Sequence, residues 1–422
     1  MKVRFPYKKV EGFEISNNFN AQFFDLPDIK TGLSGSEIVQ QAIDQPIKSK
    51  RLRELAKGKQ KILIVTDDIH RPTPVFDFIR TVLDELYKAE IKEENIEFMM
   101  ALGTHRPMTK KEMGQKLGAD IADRFKVHNH EWDNPNALEF MGNTDQGVPV
   151  WINKKVKEAD LVIGIGAIMP IEVCGFTGGG KILVPGVCGE ITNSEMHWTR
   201  VDVPHDEVLG KAENPIRESI DTLARKAGLD FIVNVILNAE QQIVKAVAGD
   251  MVHAHRAGCK LAIDVYGVEF DKEYDIVIAD GYPFDIEFWQ VNKALDTAGI
   301  VVKKGGVVIL VSPCYEGFSQ THNEILEFGY LPIDDIKHLV NSGKIPHKVV
   351  GVHMIQVSTV AIEKARAILV SSGISKTDAI KAGLLWAQTP QKAFDMALTL
   401  VGKNPSIAVL KNAARMLAVI KN

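Results

Sequence analysis

The 422-residue sequence predicts an α/β protein of two domains, each built on a mostly parallel sheet with the active site in the cleft between them. Three observations carry the fold class. Short β-branched apolar runs recur, each followed by a turn and then by a helical pattern, as in buried parallel strands joined by crossover helices. The chain is long enough to fill two or three hydrophobic cores. After a long helix at about 249–266, a second set of strand and helix units begins, which marks a new sheet.

In chain order, the first strands are KILIVTDD at 61–68, IEFMMALGTH at 96–105 and ADLVIGIGAI at 159–168. Between the first two, Phe76, Ile79, Val82, Leu83 and Leu86 recur at three- and four-residue spacings, which makes 74–91 an amphipathic crossover helix. A helix near 213–227 and a strand at 229–237 follow, giving a first domain over residues 1–268. The second domain, 269–399, takes the strands at 274–283, 305–314 and 366–375 and a helix at 286–301. The last stretch, about 400–422, is amphipathic and is expected as a helix that packs back on the first domain.

Charge and composition narrow the function. Lys and Arg total 50 against 54 Asp and Glu, a net charge of −4, without the cationic excess that a phosphate backbone requires, so nucleic acid is not an expected partner. The four cysteines form no CxxC pair, the start lacks the apolar core of a signal peptide, and no apolar run nears the roughly 20 residues of a membrane span. The expected location is the cytoplasm, away from membranes.

In an open α/β sheet, ligands sit beyond the carboxyl ends of the strands, so the loops there hold the chemistry. The first strand empties into Asp68-Ile69-His70-Arg71-Pro72, where Arg71 suits a carboxylate or phosphate. A capped helix start with a surface ion pair accounts equally for these residues. The second strand ends at Gly103-Thr104-His105, and an imidazole there is a candidate general base or a structural His. His128 and His130 read as surface positions. The third strand leads to Gly175-Phe176-Thr177-Gly178-Gly179-Gly180-Lys181, which matches G-x-x-x-x-G-K of a phosphate-cradling loop until Ile182 replaces the hydroxyl that Mg²⁺ needs. Three glycines in a row mark a close backbone approach or a turn through positive φ, presenting Lys181 to a ligand or serving the turn alone. Gln290 and Lys293, three apart, share one helical face near the Asp280-Gly281-Tyr282-Pro283 turn.

Together, DDIHRPTP, LGTHRP, GFTGGGKILVPG with His197 sixteen residues after Lys181, and YPFDIEFWQVNK resemble the nickel-pincer-nucleotide-dependent lactate racemase family over about residues 60–300. The resemblance implies that Lys181 carries, through a thioamide link, pyridinium-3,5-bisthiocarboxylic acid mononucleotide, the nickel-pincer nucleotide. It implies that His197 ligates the nickel, a square-planar set of soft sulfurs and one imidazole. Asp68, Arg71, Gly178, Gly179 and Gln290 would contact the cofactor, and Arg71 and Lys293 the substrate, a small-molecule 2-hydroxy acid. His105 matches one of two catalytic histidines: it takes the hydroxyl proton while the α-hydrogen leaves as hydride, and return to the other face inverts the centre. Separate biosynthesis proteins would supply the cofactor.

The sequence departs from the family at two places. Counting back ten from Lys181, the second catalytic His falls on Ile171, and Glu172 next to it is the candidate replacement base. The family's Trp in the second domain has no match. An altered substrate, an epimerase of a larger hydroxy acid, and substitution by Glu172 all fit this pattern. Two other readings stand beside the racemase or epimerase: a phosphate- or nucleotide-binding enzyme using Gly175–Lys181, and a non-catalytic carrier of the pincer nucleotide.

Overall fold

The computed structural model describes residues 1–144 and 147–421. Contacts divide the chain into two units, one of residues 28–265 and one of residues 1–27 with 266–422. Among the described residues no helix is long and apolar enough to cross a membrane.

In the unit of residues 28–265, six strands form one sheet in the spatial order Ile243–Gly249, Leu229–Leu237, Leu161–Ala167, Ile62–Asp67, Ile96–Ala101, Lys126–Asn129. All neighbours are parallel except Ile243–Gly249, which pairs antiparallel with Leu229–Leu237 at the edge. Leu161–Ala167 is buried along its whole length, as its unbroken apolar run requires of a strand covered on both faces. The chain starts in the middle, at Ile62–Asp67, runs outward through two strands, and then returns to the other side at Leu161–Ala167. That reversal is the topological switch point, where two adjacent loops leave in opposite directions and open a crevice. The core on one face includes Ile38, Phe78, Val82, Leu86, Phe98, Ile163 and Phe231. The crossover helix is shorter than its apolar pattern, Ile79–Tyr87, because Pro74 leads into a single turn of 3₁₀-helix at Val75–Asp77.

The main sheet of the other unit also has six strands, all parallel, in the order Leu385–Trp386, Arg366–Val370, Val302–Val311, Tyr274–Asp280, Ser406–Leu410, Asn20–Phe24. Two expectations are corrected here. The last stretch is not a helix on the first domain: Ser406–Leu410 is a strand of this sheet, and Leu417–Ile420 pairs in parallel with Gly267–Phe270. Asn422, the end of that stretch, lies outside the described residues. Residues 1–27, expected in the first domain, also belong here, with Asn20–Phe24 completing the sheet. The physical reason is local ambiguity. Ile407-Ala408-Val409-Leu410 is a short apolar run that suits a buried strand or a helix equally, and the pairing with Ile276–Ala279 decides it.

Phe13 packs in this core against Phe394, ring centroids 5.2 Å apart, beside Ile276 and Ile407. Phe13→Ala is expected to cost about 3–5 kcal/mol. Hydrogen exchange in that variant should quicken in the strands of the all-parallel sheet and leave Leu161–Ala167 protected; faster exchange in Leu161–Ala167 instead would refute the assignment of the N-terminal segment.

Candidate functional site

Four segments meet at the switch-point end of the first sheet. The turn after Ile62–Asp67 carries Asp68, His70 and Arg71, and a hydrogen bond from the Arg71 N–H to the Asp68 carbonyl closes it (3.1 Å). Asp68 is buried, and a single oxygen, Oδ2, lies 2.6 Å from His70 Nδ1 and 2.7 Å from His105 Nδ1. Burial works to raise the Asp68 pKa, but the two imidazoles, His105 foremost, hold it well below the usual carboxylate range. His105 arrives on the turn after Ile96–Ala101, pinned by its own N–H to the Leu102 carbonyl and by Trp132 Nε1 donating to its carbonyl (3.2 Å). Burial lowers its pKa to about 4, against the opposing pull of Asp68.

The strand Leu161–Ala167 continues into a two-residue hairpin, Pro170–Ile171 with Gly175–Phe176, and then a short 3₁₀ turn, Gly179–Ile182, that presents Lys181. Gly164 lets this turn lie on the strand, since a Cβ there would sit 2.7 Å from Ile182 Cγ2. Gly178 (φ 79°) and Gly179 (φ 58°) take left-handed conformations, and Cβ atoms on them would meet Asn234 and His255 at 2.8 Å. Their lack of side chains is thus already required by protein packing.

The loop is held from below by buried polar groups. Arg217 is fully buried and donates to the carbonyls of Gly178 (3.2 Å) and Phe176. Asn234 Oδ1 accepts from the Gly179 N–H (2.8 Å), and His255 Nε2 donates to the Thr177 carbonyl (2.9 Å). Arg256 donates to His255 Nδ1 (3.0 Å) and pairs with Asp221 (2.7 Å). None of these residues carries a local sequence signal, because each acts through a contact tens of residues away.

His197 lies on the helix Glu190–Trp198, one turn after Asn193, and its Nδ1 donates to the Asn193 carbonyl (2.8 Å). That bond fixes the tautomer and leaves Nε2 with its lone pair. Burial, then the positive charge of Lys181, lowers its pKa to about 3; Arg71 and His105 also act on it. The Lys181 pKa is lowered too, by burial first, with Arg71 and Arg217 adding and Cys174 and Glu172 opposing. Asp68, Arg71, His105, Glu172, Lys181 and His197 therefore share one electrostatic neighbourhood. A hydrogen bond from the Gly103 N–H to the Gly186 carbonyl (2.9 Å) ties two of its loops together.

Ile171 is buried, and Glu172 follows it in the hairpin turn with its side chain also buried and its carbonyl accepting from Arg200 Nε (2.8 Å). Gln290 and Lys293 lie in the other unit, on the helix Phe288–Val301, where Lys293 Nζ donates to Gln290 Oε1 (2.6 Å) and sits over the Phe284 ring. His130, read from the sequence as a surface residue, is buried between the Cys188 carbonyl (2.8 Å) and Asn153 (3.1 Å). The phosphate-loop reading lacks its main physical element, since the glycines lead into only a four-residue 3₁₀ turn, with Lys181 inside it, and no α-helix with an anion-binding dipole.

Residues 7–208 match the model of the lactate racemase N-terminal domain, and residues 270–418 that of the lactate racemase C-terminal domain. The lactate racemase of Thermoanaerobacterium thermosaccharolyticum is 34% identical over 310 residues, 70% of this chain and 72% of the relative. That of Lactiplantibacillus plantarum is 32% identical over 287 residues, 68% of each. The apoprotein structure of the T. thermosaccharolyticum enzyme superposes with a TM-score of 0.87 at 28% identity, covering 99% of this chain and 100% of that one. A Thermotoga maritima protein structure, at 22% identity and a TM-score of 0.72, covers 92% of this chain and 97% of its own and shares the fold. With both domain models matched in order, the chain belongs to the lactate racemase family and is an isomerase of the racemase class.

Proposed function

We propose that the protein is a racemase or epimerase of a 2-hydroxy acid, working with a nickel-pincer nucleotide joined to Lys181 and with His197 as the protein's nickel ligand. The observation that carries this is the placing of Lys181 and His197, both half-buried, in one electrostatic neighbourhood, each biased toward its neutral form. A neutral amine is what an acyl link to lysine needs, and a neutral imidazole with Nε2 open is what a metal needs. The residues present fit the group. When bound, it supplies the acceptor that takes the α-hydrogen as hydride and gives it back.

The chain's own residues do the rest. His105 takes the substrate hydroxyl proton on Nε2, while Asp68 holds its Nδ1–H and balances the imidazolium charge. Arg71 and Lys293 bind the substrate carboxylate, and Asp68, Arg71, Gly178, Gly179 and Gln290 contact the cofactor. Glu172 stands in for the base that Ile171 removes. Separate biosynthesis proteins deliver the nucleotide. The presence of Arg71 and His105 favours an enzyme over a carrier, which has no use for substrate groups.

Protein co-expressed with pincer-nucleotide biosynthetic enzymes should show a covalent adduct by intact mass and stoichiometric nickel. Lys181→Ala should lose the adduct, and His197→Ala should keep the organic part but lose the metal. An adduct of unchanged mass in Lys181→Ala would sink the anchor assignment.

His105→Gln should cut turnover by about 10²-fold or more with nickel content unchanged. Measured racemisation within tenfold of the wild type contradicts its role as base.

Acid should also unfold the protein through these imidazoles. His105 and His197 titrate at about 4 and about 3 when folded, below the roughly 6.5 of an unfolded chain, so the unfolded state binds more protons in between. Their contribution to stability is complete above about pH 6.5 and is lost as pH falls toward about 4 for His105 and about 3 for His197. Urea midpoints measured across that window should fall with pH, and flat midpoints would show that the imidazoles are not held neutral.

A further inference from the structure

Asp68 serves two imidazoles with one oxygen. A carboxylate held ionised offers only acceptors, so the bonds of 2.6 Å and 2.7 Å require a proton on Nδ1 of both His70 and His105. In its neutral form each ring then has its lone pair on Nε2. The rings lie 4.5 Å apart between centroids, tilted by 54°. They differ in access: the His105 side chain is 12% exposed and that of His70 only 1%, so His105 is the ring more open to a substrate.

We propose that His70 is a positioning residue that, by sharing Asp68 Oδ2, weakens the base at His105 and locks its ring in one tautomer. This rests on the reading of His105 as the base. In an isolated His–Asp pair, all of the carboxylate charge stabilises the imidazolium. Here a second N–H draws on the same oxygen, so the imidazolium at His105 gains less and releases its proton more readily. A racemase needs that balance, since the proton taken from the hydroxyl must be returned to the keto oxygen in every turnover. The demand is sharper where Ile171 leaves the opposite face without an imidazole. Other groups acting on His105 are Arg71, on the turn that carries Asp68 and His70, and His197 on the helix Glu190–Trp198.

The test uses the full-length protein without cofactor, labelled at histidine, with His105 and His70 assigned by substitution. Nitrogen NMR of the wild type should show both rings in the Nδ1–H form at neutral pH; a His70 ring protonated on Nε2 alone overturns the proposal without any variant. His70→Phe keeps the ring and removes the donor, and the His105 midpoint should rise by about one pH unit. His70→Asn places an amide N–H at the same position and should restore the wild-type midpoint to within a few tenths. An unchanged midpoint in folded His70→Phe overturns the proposal, as does failure of the Asn variant to restore it. In loaded enzyme, turnover retained by His105→Gln would refute the base reading while leaving these midpoints as they are, so the two failures are distinguishable.

Discussion

A buried ammonium holds the turn on which the site depends. Lys116, on the helix Lys110–Leu117, is 3% exposed and spends all three of its donors beneath residues 67–71. It pairs with Asp67 Oδ1 at 2.6 Å and donates to the Asp68 carbonyl at 2.9 Å and the Arg71 carbonyl at 3.0 Å. Thr73 Oγ1 takes the other Asp67 oxygen at 2.5 Å. Desolvating a charge is costly, and such a pair adds little net stability compared with an apolar filling of the same volume. What it provides is geometry: the three acceptors fix the backbone so that Asp68, His70 and Arg71 leave the turn in set directions. Removing the ammonium would strand the Asp67 carboxylate, a loss of about 3–5 kcal/mol.

The second loop follows the same logic with different chemistry. Lys181 sits on a segment with almost no regular structure of its own, so its backbone groups must be satisfied from elsewhere. Arg217, Asn234 and His255 do this from the helix Pro215–Ala227, the strand Leu229–Leu237 and the helix His253–Tyr266. The glycines allow those side chains to come close. A rigid support under an irregular loop lets the Lys181 amine be held in place without a helix beneath it.

Most of the fold was legible because buried parallel strands announce themselves as unbroken apolar runs, as in Ile62–Asp67 and Leu161–Ala167. The edges were not legible. Asn20–Phe24 alternates too weakly to read as a strand, and Ser406–Leu410 has no local feature that separates it from a helix. Of the candidate site, Asp68, Arg71, His105 and Lys181 stood out because they follow strand ends in distinctive loops, whereas His197, on a helix, stood out only by its spacing from Lys181. Lys116 and Arg217 read as ordinary helix charges, and only tertiary contact reveals what they hold. His70 was visible in its motif, but its link to His105 depends on an oxygen contributed by a neighbour in space.

The discontinuous unit sets an order of events during synthesis. The segment 28–265 can complete its sheet as soon as it has emerged, whereas Asn20–Phe24 must wait for Ser406–Leu410, the strand it pairs with. At 5–20 residues per second, that is a delay of roughly 20–80 s. Throughout it, a strand bearing Phe23 and Phe24 hangs from the nascent chain with both edges open, the kind of segment that invites pairing with another chain. The protein's need for chaperones should therefore concentrate at its first two dozen residues, far in sequence from any group that performs its chemistry.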